Sequence, residues 1–228
     1  MIKAVIFDLD NTLIDFMHMK NQAVKAAVTG MIESGLKLPF EEAKKKIYNI
    51  YDQQGYEYQE VLNQFIKSEC NKIDYKILAA GIVSYRRAKE EALIAYPNSN
   101  KTLIDISKLG LKLGLITDAP KREAWTRLYS VNFHDIFDSV ITFDDTGYKK
   151  PSKIPFEMIL NHFKIKPHES IMVGDWPEKD IYGAQRVGMK TAFAKYGNSS
   201  NKLKKVDADI VLNDISEIVD YVKTVNQK

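Results

Sequence analysis

The chain has 228 residues, 45% of them hydrophobic and 28% charged, and its 33 basic and 30 acidic side chains give a formal net charge of +3. That balance excludes a disordered chain, and it gives no electrostatic reason to expect nucleic acid or an anionic membrane as a partner. The single cysteine, Cys70, excludes an internal disulfide, and no run reaches the roughly 18 consecutive apolar residues of a membrane-spanning helix.

Along the chain, Ala4–Phe7 is short, β-branched and continuously apolar, and it stops at Asp8 and Asp10. This is the pattern of a strand buried on both faces of a parallel sheet; it is too short for a signal-peptide core. The expectation is a cytoplasmic globular protein. Residues 16–94 show helical periodicity without a convincing strand, punctuated by Gly35, Pro39, Gly55 and Asn71, and predict an insertion of about four helices. From residue 95 onward strands and helices alternate. Strands are predicted over 111–116, 140–142, 171–174, 191–194 and 210–212. Helices are predicted over 102–109, 122–131, 154–163, 179–187 and 215–225. The fold class is therefore α/β, a doubly wound parallel sheet built from residues 1–15 and 95–228, with an all-helical insertion over 16–94. The polar, lysine-rich stretch 198–205 reads as a surface loop.

The chemistry sits at strand ends. Asp8 and Asp10 follow the first strand two residues apart, so both carboxylates face one site beyond the carboxyl edge of the sheet. Such a pair repels unless a cation intervenes or one member holds a proton; Mg²⁺ suits it, and an Asx turn or helix cap would also place acidic residues here. Gly174-Asp175-Trp176-Pro177-Glu178-Lys179-Asp180 repeats the theme after another strand, although the same residues also make an ordinary helix start. Thr117 and Asp118 end a strand just before Pro120, where a hydroxyl and backbone N–H groups can hold a phosphate oxygen, or where Thr117 can cap a helix. Lys149-Lys150-Pro151 offers a cation, and composition does not settle which lysine points inward.

Taken in order, Asp8-x-Asp10-x-Thr12, the strand-ending Thr117, Lys150-Pro151 and Gly174-Asp175-x-x-x-x-Asp180 resemble the haloacid dehalogenase superfamily over nearly the whole chain. The order of the motifs is the specific part of the likeness. The resemblance implies a Rossmann-like core and makes the helical insertion a C1-type cap that closes over the site. It makes Asp8 the nucleophile and Asp10 the general acid/base, Thr117 and Lys150 the holders of the phosphoryl group, and Asp175 a metal ligand accompanied by Asp180; Asp118, next to Thr117, is expected to bind phosphate with Thr117 and Lys150. Mg²⁺ would be bound by Asp8, the backbone carbonyl of Asp10, and Asp175.

An aspartate at position 10 points to a phosphate ester, because a halide leaves carbon without needing a proton. The implied activity is a Mg²⁺-dependent phosphatase working through an aspartyl phosphate. A phosphomutase on the same core and a non-catalytic, receiver-like Mg²⁺-binding protein are the alternatives. The segments 180–184 and 186–191 resemble small-metabolite phosphatases of this superfamily, implying a sugar or triose phosphate as substrate. Candidate substrate contacts are His18, Arg86 and Trp176, while Arg86, Arg87 and Lys89 also fit a charged helix face and Tyr48 and Tyr51 fit packing at helical spacing. A monomer and a homodimer are both open.

Overall fold

The structure, a computed structural model, describes residues 1–198 and 206–227. Met1–Asp15 together with Ala95–Lys228 forms one compact unit, and Phe16–Ile94 forms another. Of the polar stretch 198–205 read as a surface loop, all but Asn198 lies outside the described residues.

In chain order, β1 (Ala4–Phe7) leads into the second unit, which contains α1 (Phe16–Glu33), α2 (Phe40–Gln54), α3 (Val61–Cys70) and α4 (Tyr75–Ala92). The four helices are the predicted four. Their apolar faces meet around Val24, Val28, Met31, Ile47, Phe65 and Ile66, each such buried side chain contributing about 1.5–3 kcal/mol of transfer free energy. Asp74 caps α4, its side chain accepting from the backbone N–H groups of Lys76 and Ile77. The tyrosines pack as their spacing suggests: Tyr51 is buried, and its ring stacks on Tyr56 with centroids 5.6 Å apart. One charge is buried here. Lys20 donates from Nζ to the Tyr56 carbonyl at 2.8 Å and meets the Tyr85 hydroxyl at 3.0 Å, 4.5 Å from the centre of the Tyr51 ring.

The remaining elements belong to the first unit: α5 (Ser99–Lys108), β2 (Lys112–Ile116), α6 (Lys121–Ser130), β3 (Ser139–Ile141), α7 (Phe143–Thr146), α8 (Lys153–Phe163), β4 (Ser170–Gly174), α9 (Tyr182–Gln185), β5 (Lys190–Ala194), β6 (Ile210–Leu212) and α10 (Glu217–Gln227). All six strands run parallel in the order β3-β2-β1-β4-β5-β6. The winding therefore steps outward from β1 in both directions, and the reversal between β1 and β4 opens a crevice at their carboxyl ends. Every residue of β1 and β4 is buried, which is why both read as unbroken apolar runs. Under the sheet, Ile6, Ile116 and Met172 pack with Phe156, Ile159 and Leu160 of α8. No described helix is long and apolar enough to cross a membrane.

One predicted helix is corrected. Instead of a regular helix over 179–187, Pro177–Ile181 forms a π-helical turn and α9 follows. The Tyr182 N–H reaches back to the Pro177 carbonyl; this wider winding admits an extra residue per turn and carries Asp180 inward, where it is buried.

Candidate active site

The parallel register aligns the strand ends. Phe7 lies opposite Leu115 on one side and Val173 on the other, so the next residues along β1, β2 and β4 share one edge. The ladder continues into the site: Asp8 N–H donates to the Val173 carbonyl and Thr117 N–H to the Ile141 carbonyl, each at 2.9 Å. After Asp10 the chain must turn, and Asn11 supplies the left-handed conformation (φ 59°) that its short polar side chain tolerates.

Lys150 organises the crevice. Its Nζ lies 2.5 Å from Asp8 Oδ1, 2.6 Å from Asp180 Oδ1 and 3.2 Å from the Ile116 carbonyl, donating to Asp8 and to the carbonyl and forming an ion pair with Asp180. Burial opposes its charge, but Asp180 and Asp8 outweigh burial and hold its pKa above the usual lysine range. The ambiguity in the lysine pair is thereby resolved: Lys150 is buried, whereas Lys149 is exposed with Nζ 5.4 Å from the centre of the Phe143 ring.

The carboxylates of Asp8, Asp175 and Asp180 converge, with ligand atoms within 4.8 Å of one another. Gly174 makes this approach feasible, because a Cβ there would collide with the Asp180 side chain. Asp180 is steadied by the Trp176 N–H, which donates to Oδ2 at 3.0 Å. Three buried carboxylates face one ammonium. Burial, reinforced by Asp180 and Asp10 despite Lys150, pushes the Asp8 carboxyl up to about 7; burial, then Asp8 and Asp180, pushes Asp175 up to about 9. Excess negative charge on hard oxygen donors is the environment a divalent cation such as Mg²⁺ relieves, so these residues fit a metal.

The other predicted residues have distinct surroundings. The Thr117 hydroxyl accepts from the Ala119 N–H at 3.1 Å, which leaves its own hydrogen free to donate to a ligand. The Asp118 carboxylate is already engaged: Oδ1 accepts from the Lys150 N–H at 2.8 Å and Oδ2 lies 3.1 Å from Lys179 Nζ. Asp118 thus fixes Lys150, and a phosphate would meet the backbone here, because two anions repel. Trp176 is half exposed, with Lys179 Nζ 4.4 Å from its ring centre. His18 and Arg86 belong to the helical unit, on α1 and α4, and both are exposed.

Three supporting residues escape a reading of the sequence. Arg127, only 2% exposed, places Nη1 2.6 Å from Asp10 Oδ2. Tyr196 donates to the Thr12 carbonyl at 2.7 Å, and Asn198 donates from Nδ2 to the Asp175 carbonyl at 2.7 Å. A signal for Arg127 does exist: it falls on the face of α6 defined by the buried Ala124 and Leu128, at helical spacing.

Paired aspartates at the end of the central strand, a buried lysine between carboxylates and a strand-ending threonine define a site for phosphoryl chemistry. Residues 5–194 match the haloacid dehalogenase-like hydrolase family. The chain is 35% identical over 227 residues to the glyceraldehyde 3-phosphate phosphatase of Methanocaldococcus jannaschii, covering 100% of both proteins. It is 32% identical to the protein of the same name from Pyrococcus furiosus, covering 99% of this chain and 95% of that one. Among solved structures, a HAD phosphatase from Thermococcus onnurineus superimposes with a TM-score of 0.72 at 25% identity, covering 97% of this chain and 98% of that one. The chain belongs to the haloacid dehalogenase-like hydrolase family.

Proposed function

We propose that this protein is a Mg²⁺-dependent phosphatase that hydrolyses a small phosphorylated metabolite, with glyceraldehyde 3-phosphate the first candidate, through phosphorylation of Asp8. The observation that carries this reading is the setting of Asp8: a buried carboxylate at the end of the central strand, held by Lys150 at 2.5 Å beside Asp175 and Asp180. Asp8 and Asp175, with the backbone carbonyl of Asp10, are the residues that would hold Mg²⁺, and the bound ion would neutralise charge on the phosphoryl oxygens.

Asp8 attacks phosphorus, and the bond to the leaving oxygen breaks as Asp10 delivers a proton to it. Asp10 then takes a proton from water, which attacks the same phosphorus and releases inorganic phosphate and Asp8. Thr117 donates its hydroxyl hydrogen to a phosphoryl oxygen, and Lys150 holds the Asp8 carboxylate in line. The triose phosphate assignment is supported by full-length similarity to two archaeal glyceraldehyde 3-phosphate phosphatases.

The test is phosphate release from glyceraldehyde 3-phosphate, other triose and sugar phosphates and p-nitrophenyl phosphate, with Mg²⁺ and with chelator. Metal-dependent release led by the triose phosphate supports the reading. Release from none of them by folded, Mg²⁺-supplied protein overturns it.

A further inference from the structure

The two aspartates of the first motif are two residues apart, yet each has its own cation. Asp8 is paired with Lys150, and Asp10 is paired with Arg127 from a different element. Arg127 lies in the last turn of α6 and is 2% exposed, so water does not compensate its charge. A guanidinium in that position is costly to bury and tolerable only against an anion. One anion it meets is the Asp10 carboxylate, through Nη1 to Oδ2 at 2.6 Å, a charge-assisted bond from a planar and permanently charged donor. The bond crosses from the turn after β1 to α6, so the Asp10 carboxylate is tied to a helix distant in sequence as well as to its own turn. The buried group of carboxylates beside it is formed by Asp8, Asp175 and Asp180.

The geometry points to Arg127 as a positioning residue that fixes the Asp10 carboxyl where it can exchange protons with the leaving oxygen and with water. Its part in the reaction is exerted through Asp10, not through the substrate or phosphorus. This inference rests on the proposed phosphatase activity.

Dependence on Asp10 separates the two half-reactions for p-nitrophenyl phosphate. In the first, an Asp8 oxygen bonds to phosphorus while the phosphorus–phenolate bond breaks, and p-nitrophenolate departs with the electron pair and needs no proton. In the second, water attacks phosphorus, its proton passes to Asp10, and the bond to Asp8 breaks. Losing Arg127 should therefore slow the second step and spare the first.

The experiment is stopped-flow release of p-nitrophenolate by Mg²⁺-supplied wild type, Arg127→Met and Arg127→Lys. Steady-state turnover of Arg127→Met should fall on the order of ten- to a hundredfold. A burst of about one p-nitrophenolate per protein molecule should remain, with unchanged affinity for the substrate. Arg127→Lys, which keeps the charge and loses the fork, should recover part of the turnover. Thermal melts of each variant confirm a folded protein. A burst slowed in proportion to turnover overturns the inference, as does unchanged turnover in Arg127→Met. A failure of Arg127→Met to fold, together with no selective slowing of the second step in Arg127→Lys, overturns it as well. Absence of turnover in wild type overturns the phosphatase reading itself, and this inference with it.

Discussion

Lys150 Nζ stands between Asp8 and Asp180, 2.5 Å from one carboxylate and 2.6 Å from the other, joining the first and last motifs of a site whose parts are scattered along the chain. Three segments meet at this single ammonium: the turn after β1, the approach to α8 and the π-helical turn after β4. Its position in turn depends on Asp118, which accepts the Lys150 N–H.

Replacing Lys150 with Met should abolish phosphate release and also destabilise the fold. Breaking a buried ion pair by removing one partner costs about 3–5 kcal/mol, because the remaining charges have no compensation. Chemical denaturation of Lys150→Met in the absence of metal measures this, and a midpoint equal to that of wild type would refute it.

Metal and pH are linked through Asp8 and Asp175. Both carboxyls are pushed up by burial, to about 7 and about 9, so without metal the folded state binds more protons than the unfolded state above the ordinary carboxylate range near 4. Stability of the metal-free protein should therefore fall as pH rises from about 4 through 7 and toward 9. Mg²⁺ competes with those protons, so its stabilising effect should be larger at pH 8 than at pH 5. Thermal melts with Mg²⁺ and with chelator at the two pH values check this; an increment independent of pH would contradict it.

Gly197 presses against the turn after β1. A Cβ at this position would overlap the Asn11 carbonyl oxygen and approach the Asp175 side chain at 3.3 Å. Gly197→Ala should cost about 1–3 kcal/mol in stability through overpacking and weaken metal binding, since Asp175 is one of the clustered carboxylates and Asn11 directly follows Asp10. Isothermal titration with Mg²⁺ measures the second effect, and unchanged affinity would show that the turn shifts without disturbing Asp8 or Asp175.

Lys20 anchors the helical unit from inside. Its ammonium bridges the Tyr56 carbonyl and the Tyr85 hydroxyl, against the Tyr51 ring. Lys20→Met keeps most of the volume and removes the donor, and should lower the unfolding free energy by about 1–3 kcal/mol. Equilibrium denaturation of the variant is the check, and a stabilised variant would mean that relief of the buried charge dominates.

The sheet was readable in advance because its strands are covered on both faces. Ala4–Phe7 and Ile171–Gly174 have no solvent side, so they carry no alternation and stand out as apolar runs ending in aspartates. The four-helix insertion was readable from its periodicity. Less legible were features in which a charge is buried by partners distant in sequence. Arg127 and Lys20 are ordinary members of charged helical stretches until Asp10 and the tyrosines are brought to them. Composition leaves Lys149 and Lys150 open, because the tertiary path of the chain decides which one turns inward; the resemblance of Lys150-Pro151 to the family motif singles out Lys150. The π-helical turn is not legible because Pro177 and the acidic residues after it match a regular helix start.

The most direct test of the account is whether Asp8 becomes phosphorylated during turnover. Rapid acid quench of the Mg²⁺-supplied enzyme mixed with radiolabelled glyceraldehyde 3-phosphate should trap a transient acyl phosphate. Borohydride reduction and peptide mapping should place it on Asp8, and Asp8→Asn should show neither label nor turnover. Turnover that persists in Asp8→Asn, or label that maps to another residue, would contradict the account.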